Sequence, residues 1–115
     1  DVFDANKMTA PEVKLIPEES APGGPFFELH RWLNEKILAG EAEGFYRPYV
    51  SDHGGTSPES WHLSYAPLAT EYFHKYDLSL FVENIEQAAD LALRDILLDQ
   101  AAELYVRFFK AIDLP

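Results

Sequence analysis

The stretch that most narrows the possible folds runs from Ser51 to Tyr65. In it a loop carrying Gly54, Gly55 and Pro58 gives way to the alternating segment Trp61-His62-Leu63-Ser64-Tyr65. Glycine and proline interrupt regular structure, whereas strict alternation is the period of a strand. Trp61, Leu63 and Tyr65 then share one face and His62 and Ser64 the other, which predicts a half-buried strand packed on helices through its apolar face. Phe45 to Val50 predicts a second strand, with Pro48 implying an edge or a bulge because proline offers the ladder no N–H. Two strands joined by the loop 51–60 make an antiparallel pair.

The remaining elements read as mostly helical. Asp1 to Phe3 predicts the end of a strand, Asp4-Ala5-Asn6 a turn, and Val13 to Ile16 a short strand before a loop from Pro17 to Pro25 whose prolines and glycines oppose regular structure. Phe26, Leu29, His30, Leu33 and Ile37 fall at helical spacing, with Pro25 suited to a first turn and Gly40 to a stop. Further helices are expected from Ala66 to about Tyr76, with Leu68, Tyr72 and Tyr76 facing inward, and from Leu78 to Ala89. The last should span Leu93 to Ile112, where Ile96, Leu97, Ala101, Leu104, Tyr105, Phe108 and Phe109 form a broad apolar stripe. The class predicted is α+β, a small antiparallel sheet packed with about four helices in a single domain, 1–115, with no repeat or internal boundary.

Chemistry concentrates on Glu59 and His62. Glu59 lies in the loop entering the strand and can turn toward the face that carries His62. An imidazole can bind zinc while a nearby carboxylate takes a proton from water, the requirement of metal-assisted hydrolysis. The E-x-x-H spacing alone is unspecific, since Glu71-Tyr72-Phe73-His74 repeats it in a helical segment with no loop before it.

The surroundings of the first copy separate the two. Gly44-Phe45-Tyr46-Arg47-Pro48-Tyr49, then Gly54-Gly55, then Pro58-Glu59-Ser60-Trp61-His62-Leu63-Ser64-Tyr65-Ala66-Pro67 resemble the C-terminal half of the VanY-like D-alanyl-D-alanine carboxypeptidases. These are zinc peptidases that cut bacterial peptidoglycan stem peptides. Ser60 stands where that family commonly has proline in E-P-W-H. The resemblance implies a Hedgehog/DD-peptidase-like fold in part, Zn2+ as cofactor, Glu59 as general base and His62 as a metal ligand. It further implies two ligands from an earlier strand, a histidine and an aspartate. The opening Asp1-Val2-Phe3-Asp4-Ala5-Asn6 is similar to the end of that motif, so Asp1 matches the ligand aspartate and the histidine would precede residue 1. The chain accordingly reads as the C-terminal part of a larger bacterial zinc peptidase domain, periplasmic or cytoplasmic, whose substrate is a peptide ending in D-alanine. The basic residue that the family uses for the substrate carboxylate also lies upstream.

Composition sets limits around this reading. A chain of 115 residues, 47% hydrophobic and 14% aromatic, suits one domain burying roughly 65% of its unfolded surface. A formal net charge of −11 makes nucleic acid and anionic membranes poor partners, since both require clustered Lys and Arg. With no cysteine, zinc would have to be held by His, Asp or Glu. No run approaches the roughly 18 apolar residues of a membrane span.

Each residue singled out also has a plainer role. His62 can be a hydrogen-bonded histidine beside a cleft with Glu59 its neighbour, and Asp1 a fraying terminal residue. His53 reads as an exposed loop residue, His30 and His74 as packing or surface residues, and Trp61 as core or pocket wall. Tyr46 and Arg47 can line a groove or face solvent. The alternative of another class is a non-catalytic, acidic interaction module whose open face binds a partner or a second copy of itself, a homo-oligomer.

Overall fold

The computed structural model describes all residues from Asp1 to Pro115. It is mostly helical, with six helices and one two-stranded antiparallel sheet. Strand β1 (Phe45–Tyr46) pairs with β2 (Ser64–Tyr65), Phe45 opposite Tyr65 and Tyr46 opposite Ser64. The ladder is shorter than the alternation predicts because Pro48 has no N–H to continue it. Contact resumes beyond the proline, where the Glu59 N–H donates to the Tyr49 carbonyl at 2.8 Å. On the other side of β2 the Val2 N–H donates to the Trp61 carbonyl at 2.9 Å, so the N-terminal residues lie alongside as a single bridge without forming a strand.

Val13 to Ile16 is not a strand. Leu15 takes a left-handed conformation with φ of 54°, and its N–H and that of Lys14 turn toward the carboxylate of Glu19. That carboxylate, only 7% exposed, sits on α1 (Pro17–Ser20), a helical turn inside the segment expected to be irregular. Pro17 occupies the first turn, where its missing N–H costs nothing.

Helix α2 (Phe27–Leu38) follows the predicted spacing, burying His30 and half-burying Leu29, Leu33 and Ile37. It ends in a Schellman turn. Gly40, at φ of 71°, donates to the Ile37 carbonyl at 3.1 Å and Glu41 to that of Lys36 at 2.9 Å. Helix α3 (Ala66–Lys75) is rotated relative to expectation. Leu68 and Tyr72 are exposed at 56% and 68%, while Phe73 and, as expected, Tyr76 turn inward onto Phe109, with Ala69 half-buried on the same side.

Asp77 caps α4 (Leu78–Gln87) by accepting the Leu80 N–H at 2.9 Å. Arg94 closes its other end, donating to the carbonyls of Ile85 and Glu86 at 3.2 and 2.7 Å. The single long helix predicted to the C-terminus is divided. Helix α5 (Arg94–Asp99) stops at Gln100, and α6 (Ala101–Leu104) opens into a π turn from Tyr105 to Lys110. This division and the α1 turn account for six helices where about four were expected.

Burial is thin and falls into two groups. Phe26, His30, Tyr46, Arg47 and Trp61 lie where α2 meets the sheet, and Ile85, Ala101 and Tyr105 lie among the later helices. The radius of gyration is 16.8 Å, against about 13 Å for a compact chain of this length. The exposed surface of 7841 Å² corresponds to burial of about 59% of the unfolded surface, below the value expected from chain length.

Candidate metal centre

Two backbone hydrogen bonds build the site. The bridge from Val2 to the Trp61 carbonyl brings the side chain of Asp1 beside that of His62, and the bond from Glu59 to the Tyr49 carbonyl fixes Glu59 at the entrance to the same strand. Asp1 Oδ1 lies 3.1 Å from His62 Nδ1, and Glu59 Oε2 lies 3.9 Å from the same nitrogen. One donor atom from each of Asp1, Glu59 and His62 falls within 4.8 Å of the others. All three side chains remain accessible, at 42%, 29% and 37% exposed.

The donor set fits zinc. Ligand atoms at the usual 2.0–2.1 Å around a tetrahedral ion stand about 3.3 Å apart, close to the separation of Asp1 Oδ1 and His62 Nδ1. The Glu59 oxygen is farther away than a ligand edge requires, yet near enough to accept a hydrogen bond from a water between them. A metal needs the imidazole neutral, with a lone pair on the coordinating nitrogen. Burial pushes the His62 pKa down, opposed by the charge of Glu59 and aided by the α-ammonium of Asp1. The ring is held by Tyr49, whose centroid lies 4.9 Å away at an interplanar angle of 59°. A cavity of about 260 Å³ opens on this side, with Tyr46, Tyr49, His62, Phe73 and Phe109 in its wall.

The other histidines are elsewhere. His53 Nε2 meets Asp113 Oδ1 at 3.1 Å, and Asp113 also accepts the N–H groups of Val50 and Ser51 at 2.8 Å each. Those bonds, led by the one from Ser51, hold the Asp113 carboxyl below its usual pKa. The clamp ties the end of the chain to the loop, and Arg107 adds a bond to the Gly54 carbonyl. Gly55 is required there, because a Cβ at that position would collide with the Arg107 carbonyl.

His30 is buried against Arg47, and its pKa is lowered first by burial and then by the guanidinium charge. In the second E-x-x-H, Glu71 pairs with Lys75 at 3.3 Å, while exposed His74 sits at the end of α3. Trp61 is buried and forms pocket wall.

The roles of Tyr49 and Arg47 were not legible beforehand. Alternation would place Tyr46 and Arg47 on opposite faces, one wet, but both are buried because this short segment is covered on both sides. An arginine next to a strand proline was the one available signal. Comparisons of the chain with protein-family models, with curated proteins and with solved structures found no match.

Proposed function

We propose that the chain carries the metal centre of a zinc-dependent hydrolase resembling the D,D-carboxypeptidases, acting on peptidoglycan stem peptides that end in D-alanine. The observation behind this reading is the meeting of Asp1 with Glu59 and His62, which lie about half the chain away in sequence, at distances suited to two ligands and a base. Asp1 and His62 would hold the ion, together with a histidine that the family resemblance puts ahead of residue 1. Zinc, when bound, supplies a Lewis acid that acidifies water and polarises the scissile carbonyl.

The chain's own residues do the rest. Glu59 accepts a proton from the attacking water through its Oε2 and returns it to the departing amine of D-alanine. Tyr49 keeps the His62 ring from rotating, and the backbone bond to Tyr49 holds Glu59 in place. The aromatic cavity beside His62 offers an apolar wall for the penultimate residue of the substrate.

The test is release of D-alanine from N-acetyl-D-alanyl-D-alanine in the presence of zinc, by the chain extended upstream to include the histidine that the resemblance places ahead of residue 1. Glu59→Gln should lower kcat by at least about 100-fold, the usual share of a general base, while zinc stays bound. Undiminished turnover in that variant would remove Glu59 from the mechanism.

A second reading, an acidic interaction module, draws on a different surface. Trp32 and Phe45 are 51% and 46% exposed around a groove between α2 and β1. It predicts no hydrolysis with any loading of metal.

A further inference from the structure

The end of the chain grips the segment on which the metal centre is built. The Asp113 N–H donates to the Pro48 carbonyl at 2.9 Å, and Asp113 Oδ2 accepts the N–H groups of Val50 and Ser51 at 2.8 Å each. Its Oδ1 meets His53 Nε2 at 3.1 Å. Asp113 is therefore bonded on both sides of Tyr49 and to the loop beyond, although it lies more than half the chain away in sequence. Hydrogen bonds to an ionised acceptor are roughly twice as strong as neutral ones, and here two backbone donors share one carboxylate.

Tyr49, the residue so bracketed, touches two members of the centre. Its carbonyl accepts the Glu59 N–H at 2.8 Å, and its ring centroid lies 4.9 Å from that of His62. The ladder with β2 ends before this segment, because Pro48 has no N–H to extend it. Every backbone hydrogen bond made by Pro48 to Ser51 goes either to Asp113 or to Glu59. Without Asp113, nothing but Glu59 itself would tie that backbone. The neighbouring Phe109 and Ile112 stand in the wall of the cavity that His62 lines, so the same segment closes one side of it.

We propose that Asp113 is a positioning residue for the metal centre: by clamping Pro48 to Ser51 it fixes Tyr49, and through Tyr49 it holds Glu59 and His62 in working relation. The effect on turnover rests on the hydrolase reading; the clamp rests on its own hydrogen bonds. A general base must stand within hydrogen-bond reach of the water it serves, and a displacement of about 1 Å can cost about 100-fold in rate. The C-terminal segment is on this account part of the site, although it supplies no ligand and no reacting group.

The test compares the native sequence with Asp113→Ala, Asp113→Asn and, as a control, Arg94→Gln, which loosens the end of α4. In the metal-free full chain, amide exchange read by NMR should be at least about tenfold faster at Glu59 in Asp113→Ala, the loss expected when bonds to a charged acceptor go. Asparagine keeps one acceptor oxygen and offers N–H to His53, so it should restore most of the protection; Arg94→Gln should stay close to native. In the chain extended upstream through the histidine ahead of residue 1, with zinc, Asp113→Ala should lower kcat for D-alanine release by about tenfold or more, with KM little changed and Asp113→Asn near native. Native exchange at Glu59 in Asp113→Ala overturns the proposal whatever the activity, as does native kcat in that variant of an active enzyme. If neither Asp113 variant folds, the native chain decides: the Val50, Ser51 and Glu59 amides should open as one unit, and a Glu59 amide far outlasting the other two overturns the clamp. Fast exchange at Glu59 in Asp113→Ala, with no turnover by the extended native sequence, supports the clamp and discards the hydrolase.

Discussion

Replacing Glu19 with alanine should cost much of the fold's margin, although Glu19 touches no part of the metal centre. Its carboxylate accepts the Lys14 N–H at 3.0 and 3.2 Å through its two oxygens and the Leu15 N–H at 3.0 Å. Its carbonyl accepts the Phe26 N–H at 2.8 Å. A hydrogen bond to a charged group contributes about 1.5–3 kcal/mol. Lys14 and Leu15 are exposed, so water can reach the freed N–H groups and the lower value applies to each. The two together give about 3 kcal/mol, within a total stability of roughly 6–17 kcal/mol for a domain of this length. At about 4 °C per kcal/mol, Tm should fall by about 12 °C, read by circular dichroism at 222 nm, the usual helix signal at about that wavelength. Glu19→Gln keeps one acceptor oxygen and should lose about half as much. Because Ser20 Oγ meets Ser60 Oγ, the alanine variant should also speed amide exchange around Glu59. A Tm within about 3 °C of the native chain, or equal loss in both variants, would refute the role given to the carboxylate.

Two further outcomes test other parts of the structure. Asp113 has a folded pKa below its ordinary 3.8, so its contribution is fully present above that value and is lost as pH falls through the lower, folded one. Asp113→Asn should therefore flatten the fall of Tm between about pH 4 and pH 2, and an unchanged slope would show that the clamp on Val50, Ser51 and His53 is not linked to folding. Leu93, 69% exposed at φ of 59°, holds a left-handed conformation that costs a side chain about 1–2 kcal/mol. Leu93→Gly should raise Tm by about 2–4 °C, after the greater chain entropy of glycine is subtracted; a lower Tm would mean that the leucine packs usefully.

The sequence conveyed what depends on near neighbours. The α2 stripe, its Gly40 stop, the helix that begins at Leu78 and the pairing of β1 with β2 all follow from local periodicity and turn chemistry. It did not convey which way α3 faces, because Leu68 and Phe73 are equally apolar and only the position of Phe109 selects Phe73. The break at Gln100 and the π turn after Leu104 lie under an uninterrupted helical pattern, with no glycine or proline to mark them. Glu19 was hidden for a related reason: nothing in Pro-Glu-Glu-Ser shows that one of two adjacent acids turns inward to take two N–H groups. At the site, spacing put Glu59 near His62. Asp1 joined them only through the resemblance, and the bridge from Val2 to Trp61 supplies the physical reason for their proximity.

Zinc affinity tests the central claim most directly, measured by competition with a chromophoric chelator on the native chain, His62→Ala and Glu59→Gln. Each is carried on a chain extended upstream to include the histidine that the resemblance places ahead of residue 1, and in that form the native sequence should bind one ion. Loss of a ligand must weaken binding by no less than the roughly 10–100-fold that loss of a supporting hydrogen bond does, so His62→Ala should fall by at least that factor while Glu59→Gln stays close to native. Equal affinity of the native chain and His62→Ala, or loss of zinc from Glu59→Gln alone, would contradict the assignment of His62 as ligand and Glu59 as base.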